Sequence, residues 1–308
     1  MAAGAPIPVT SATEAGRLMR LATYASTLTA AVLIAVKLAA WGVTDSVALL
    51  STLIDSTLDL GASVLNLVAV HQALQPADRE HRFGHGKAEA LAGLGQAAFI
   101  VGSGGVLLAE AGGRIMRPAP IAHGEWGIGV MVFSILATIA LVTFQRRVIA
   151  RTGSVAISAD SLHYAGDVMI NGSVIVSLML AMGPGWTLAD PLFAIAIGVW
   201  LLFNAYQIAR GTLDTLMDHE LPDEARARIR AIARAHPDVL DLHDLRTRAS
   251  GRQGFIQLHL ELAADLPLIQ AHRIADEVET AIGAAFPGFE VIIHQDPAGI
   301  RENHPRFG

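Results

Sequence analysis

A chain of 308 residues that is 52% hydrophobic and 16% charged, with a mean hydropathy of +0.46, is too apolar for an ordinary soluble domain. Its net charge of −6 and scattered basic residues exclude a nucleic-acid partner, and the absence of cysteine excludes disulfides and thiolate metal sites. What remains is an integral membrane protein whose metal chemistry must rest on histidines and carboxylates.

Met1 to Glu14 lack both the basic and the apolar region of a signal peptide, so residues 1–16 read as a disordered N-terminal arm. Hydropathy then predicts six spans, at about Leu18–Trp41, Ala48–Leu74, Ala88–Met116, Gly127–Phe144, Val155–Met182 and Pro191–Ile208. Residues 17–210 are thus expected to form a six-helix transmembrane domain. Arg17 and Arg20 mark the start of the first span; Arg79, Arg82 and Lys87 follow the second, and Arg146, Arg147 and Arg151 follow the fourth. By the positive-inside rule these segments, and both termini, lie in the cytoplasm of a protein that crosses the cell (inner) membrane many times and contacts its lipid. Arg114 and Arg117 stand against the rule, at positions from which long side chains snorkel to the outer interface.

The second span carries Asp55 and Asp59 in DSTLD, and the fifth carries His163 and Asp167 in HYAGD. Residues four apart share a helical face, so each pair points one way. Lipid cannot be that way, because an ionised acid near the bilayer centre costs about 2.5 to 3.5 kcal/mol. Three carboxylates and one imidazole have the number and type of ligands of a four-coordinate divalent metal, although hydrogen bonds between protonated acids would also satisfy them. Lys37 in the first span reads as a counter-ion or, more simply, as a side chain snorkelling toward Trp41. Asn66 and Asn171 read as helix-pairing amides or, alternatively, as donors behind the carboxylates, and Asp160 as a first-turn acid or N-cap of the fifth span. The third span repeats small residues, Gly93 with Ala97, Ala98 with Gly102, and Gly105, Ala109 and Gly113. That interval predicts close helix packing, within one chain or between two.

The loop after the second span, PADREHRFGHGKAE, groups Asp78, His81 and His85, with Gly84 and Gly86 to turn it back. Those letters suit a metal and suit a solvated loop equally well. After Arg210 the composition becomes that of a soluble domain. Residues 211–298 read as helix Pro222–His236, strands Leu240–Arg248 and Phe255–Ala263, helix Pro267–Phe286 and an extended Phe289–Ile293, a small α+β domain, with a flexible tail at 299–308. His243, His259, His272, His294 and Asp296 crowd this domain and make a second candidate metal site. His71, His123, His219, His236 and His304 have no companions at ligand spacing.

Together DSTLDLGASVLN, QPAD, FGHGKAE, ADSLHYAGDVMINGS, LPDE, HDLRTR, QLHLE, QAH and IIHQD resemble the cation diffusion facilitator family, and within it the bacterial zinc and ferrous-iron efflux members, over about Arg17 to Pro297. The resemblance implies a transport site on Asp55, Asp59, His163 and Asp167, a loop site on Asp78, His81 and His85, and a cytoplasmic site on His243, His259, His272, His294 and Asp296. It also implies a homodimer with ferredoxin-like cytoplasmic domains, and exchange of the cation for protons by alternating access. Zinc is the expected ion, transported and regulatory, with cadmium or iron(II) as further cargo and no prosthetic group. An enzyme is not expected: an intramembrane hydrolase would want HExxH, GxGD or a G-x-S-x-G elbow, which are missing. A proton-coupled exporter of organic cations would want an aromatic lining rather than a His-carboxylate cage.

Overall fold

The computed structural model describes residues 12–44, 47–116, 125–182 and 188–300. Those residues fall into two compact units that meet in sequence at Leu213 and Asp214.

The first unit is built from six long helices: α1 (Ala12–Thr44), α2 (Val47–Ala73), α3 (Lys87–Met116), α4 (Glu125–Thr152), α5 (Val155–Met182) and α6 (Ala189–Leu216). Most outrun their apolar cores. α4 continues eight residues past Phe144 through Arg146, Arg147 and Arg151, because a helix satisfies its own backbone and does not stop where hydropathy falls. Ala12 to Gly16, assigned to the arm from sequence, are already helical, whereas the rest of the arm, Arg117, His123 and most of the tail lie outside the described residues. Among the described residues, five helices are long and apolar enough to cross a membrane. The other, α5, is as long and is interrupted by Asp160, His163, Asp167 and Asn171.

α1 packs on α2 and α4, α2 on α3, and α5 on α3 and α4. Met19, Ala22, Val70, Ala92, Val148, Ala156 and Ile157 close the core between the first five helices, and Ile100 meets Ile197, Leu201 and Ala205 of α6. The small residues of α3 divide in two. A Cβ on Gly93 would meet Thr212 at 2.7 Å and one on Gly104 would meet Leu202 at 3.4 Å, while Gly102, Gly105 and Gly113 have nothing within 4 Å. Gly93 and Gly104 therefore serve packing inside the chain.

One polar knot ties five helices. Asp160 of α5, 0% exposed, accepts hydrogen bonds from Gln96 Nε2 of α3 at 3.1 Å and Gln145 Nε2 of α4 at 2.7 Å. Gln96 Nε2 also donates to the Ala62 carbonyl of α2. Beside it Ser26 of α1, Ser63 of α2 and Tyr164 of α5 form a buried chain, with Ser26 and Ser63 3.0 Å apart and Ser63 and Tyr164 2.7 Å apart. Asp160 is thus neither a first-turn acid nor a cap. It sits in the second turn of α5, where the facing amides make up for its lost water.

The second unit runs α7 (Asp223–Arg234), β1 (Asp241–Ser250), β2 (Gln253–Leu262), α8 (Leu268–Ala285) and β3 (Phe289–Pro297). β2 is central, antiparallel to β1 and parallel to β3, with α8 as the crossover. Ile256, Leu258, Leu260 and Leu262 alternate along β2 and bury against Ile229 and Ala233 of α7 and Ile274, Val278 and Ile282 of α8. Both helices therefore cover one face of the sheet. β3 extends four residues beyond the expected Ile293, because pairing with β2 carries it through His294 and Asp296. Gly254 lies opposite Phe289, and a Cβ there would stand 2.0 Å from the ring. Gly254→Val should accordingly cost about 1 to 3 kcal/mol by overpacking. Amide hydrogen exchange over β2 and β3 in the full chain checks this: faster exchange is expected, and wild-type protection would contradict it.

Candidate metal centre

The α2 and α5 pairs meet inside the helical unit. Ligand atoms of Asp59, His163 and Asp167 lie within 4.8 Å of one another, and His163 Nε2 is 3.0 Å from Asp59 Oδ1. His163 is 7% exposed. Asp55 stands one turn before Asp59, exposed and outside this group. Like charges four residues apart on a helix repel, and Asp55 takes the open side. Asn171 Nδ2 donates to the Asp167 carbonyl within α5. Asn66 is fully buried beside the Asp160 knot.

Lys37 does not snorkel. Its Nζ donates to Ser56 Oγ at 2.6 Å and to the Thr52 carbonyl at 3.1 Å, both on α2. A neighbouring polar turn offers bonds at once, whereas reaching the interface would leave those acceptors in a dry interior. Arg114 is likewise held, at 2.5 Å from Asp190 of α6 and 2.7 Å from Glu110.

The loop residues Asp78, His81 and His85 also converge within 4.8 Å. Gly84 at φ 77° turns the chain back. Asp78 Oδ1 accepts the backbone N–H of His81 at 2.7 Å and of Glu80 at 2.9 Å. The His81 amide first, with help from Glu80, holds the Asp78 carboxyl below the ordinary carboxylate range. His85 Nε2 faces Asp78 Oδ2 at 3.4 Å and its Nδ1 is buried without a partner among the described residues.

In the α+β unit the strand register does the assembling. His243 pairs with His259, and His259 with His294, so three imidazoles stand abreast on the face away from the helices. Their ring centres are 5.1 and 4.7 Å apart. Asp296, 5% exposed, runs beneath them, 2.8 Å from His259, 3.1 Å from His294 and 3.4 Å from His243. His243, His259 and Asp296 group within 4.8 Å. His272 does not join them: it lies on α8, 3.5 Å from Asp276. Two acids that sequence reasoning passed over border the cluster, Glu261 at 3.4 Å from His243 and Asp244 at 3.9 Å from His259. Asp244 is aimed by a break in the β1 register and a left-handed backbone at φ 49°. The HDLR tetrapeptide holds no letter that announces such a bulge.

Imidazoles and carboxylates at these separations fit a borderline divalent cation such as zinc without large movement. Residues 23–217 match the profile described as cation efflux transmembrane domain, and residues 221–298 that of the cation efflux protein cytoplasmic domain. The cation-efflux pump FieF of Klebsiella pneumoniae is 48% identical over 285 residues, covering 92% of this chain and 95% of that protein. FieF of Salmonella agona is 47% identical with the same coverage. A solved structure of CzrB in its zinc form is 41% identical and covers 28% of this chain and 99% of its own, with a TM-score of 0.26. With half-buried acids facing a buried histidine across two helices and both domain profiles matched in order, the chain belongs to the cation efflux family, the cation diffusion facilitators.

Proposed function

We propose that this multi-pass membrane protein exports a divalent metal cation, zinc foremost and cadmium or iron(II) besides, in exchange for protons. The observation that carries the reading is the group formed by Asp59, His163 and Asp167 between two membrane helices. Carboxylates at that depth need a neutralising partner, and a divalent cation and protons compete for the role. Asp55, Asp59 and Asp167 supply oxygens and take protons on the return, and His163 supplies a nitrogen. Loading requires ionised carboxylates and a neutral imidazole, so cytoplasmic binding releases protons and outer acidity displaces the cation. An inward proton gradient then drives efflux. Both termini face the cytoplasm and the protein sits in the cell (inner) membrane.

His243, His259, His294 and Asp296 would hold a regulatory cation, with Asp244 and Glu261 at its edge, in a homodimer. A cation bound there stabilises the folded domain by mass action. Asp78, His81 and His85 form a third, loop site. Flux of zinc, cadmium, iron(II) and manganese into proteoliposomes across an imposed pH difference tests the whole: zinc movement that ignores the pH difference removes the antiport, and no movement of any of the four removes the transporter. His163→Asp exchanges the borderline nitrogen for a hard oxygen. The zinc-to-manganese flux ratio is expected to fall about tenfold or more, and an unchanged ratio would take selectivity away from His163.

A further inference from the structure

Lys37 is a membrane-embedded cation that the ligand set leaves unused. Its ammonium is held not by a carboxylate but by the Ser56 hydroxyl and the Thr52 carbonyl, with Ser56 1% exposed. At 100° per residue Thr52, Asp55, Ser56 and Asp59 occupy one arc of about 100° on α2. The anchor therefore fixes a positive charge on the stripe that bears two of the acids. Asp59 and Asp55 of α2 and Asp167 of α5 all act on it, and Glu110 of α3 acts in turn on Asp55. His163 is the remaining titratable group of the site.

The charges balance in an informative way. Three carboxylates, one neutral imidazole and a divalent cation sum to minus one, which a low-dielectric interior penalises. Lys37 brings the loaded sum to zero. With the carboxylates ionised, the same ammonium repels the bound cation and lowers the attraction that holds it. A carrier needs binding tight enough to load and weak enough to unload.

We propose that Lys37 is a positioning residue for release: a fixed internal charge, clamped by Ser56 and Thr52, that sets how firmly the site on α2 and α5 grips a divalent cation. The inference rests on Asp55, Asp59, His163 and Asp167 being the transport site. A purely structural link between α1 and α2 would be met by any hydrogen-bonding side chain and would have no bearing on cation affinity, so affinity separates the two roles.

The test is zinc flux down its own gradient through full-length protein in liposomes, at equal and mildly alkaline pH on both sides so that proton competition is small. Lys37→Met is expected to lower KM about tenfold and to lower kcat by a similar factor, because the cation is held longer. Lys37→Arg, which keeps the charge, should retain a KM near wild type. Should Lys37→Met not fold, Lys37→Gln and Ser56→Ala give the same reading, the first by removing the charge and the second by loosening its clamp. A KM that is unchanged or raised in the charge-removing variants, with kcat reduced or not, overturns the release charge while leaving the transport site standing. A wild-type protein that moves no divalent cation removes the transport site and this inference with it.

Discussion

Asp59→Ala protein, purified, folded and reconstituted, is expected to move zinc at least about a hundredfold more slowly than wild type. Loss of a group that merely orients a ligand costs about 10- to 100-fold in metal affinity, and Asp59 is proposed as a ligand itself. It is also hydrogen-bonded to His163, at 3.0 Å. Its removal takes away an oxygen donor and a negative charge, and leaves the imidazole without the carboxylate that orients it. The measurement is initial radiolabelled zinc uptake under a fixed pH difference, with thermal unfolding run alongside. Wild-type uptake by the variant would end the transport-site reading, whatever the cytoplasmic clusters bind. Asp55→Ala makes a useful companion, because Asp55 lies outside the group that Asp59, His163 and Asp167 form. A smaller loss there would match its open position.

Asp160→Ala is expected to produce the largest loss of stability, about 3 to 5 kcal/mol. The substitution leaves two donors, Gln96 Nε2 and Gln145 Nε2, aimed at an empty and fully buried space. Gln96 Nε2 keeps its bond to the Ala62 carbonyl, but the amide oxygens of both glutamines already lack partners among the described residues, and Gln145 Nε2 loses the acceptor it had. Asp160→Asn should be much milder: one glutamine can rotate its amide and present the spare oxygen to the new N–H. Thermal unfolding in detergent separates the two. Equal melting temperatures for Asp160→Ala and wild type would show the knot to be dispensable. A drop confined to transport, with stability untouched, would move Asp160 from scaffold to the cation path.

Much of the site was legible before the fold. Two i,i+4 pairs of ligand-type residues inside apolar runs are costly unless they face each other, and a helix fixes which residues share a face. The small domain was legible for a similar reason. Ile256, Leu258, Leu260 and Leu262 alternate, which placed His259 on the opposite face and left it free to meet its neighbours. Helix ends were not legible, because the backbone bonds that continue α4 past Phe144 leave no trace in hydropathy.

The amino-acid order alone determined a membrane protein with acid and histidine pairs on two helices, a histidine-bearing loop and an α+β domain, since spacing and apolarity follow from local geometry and transfer energies. Tertiary structure decided where each charge found its partner: Lys37 on Ser56 rather than at the interface, Arg114 on Asp190, Asp160 on two glutamines, His272 away from the cluster it was grouped with, and Asp244 turned toward His259 by a bulge. A polar side chain in a dry interior takes the nearest complementary group. Which group is nearest is a property of packed elements far apart in the chain, and no local pattern encodes it.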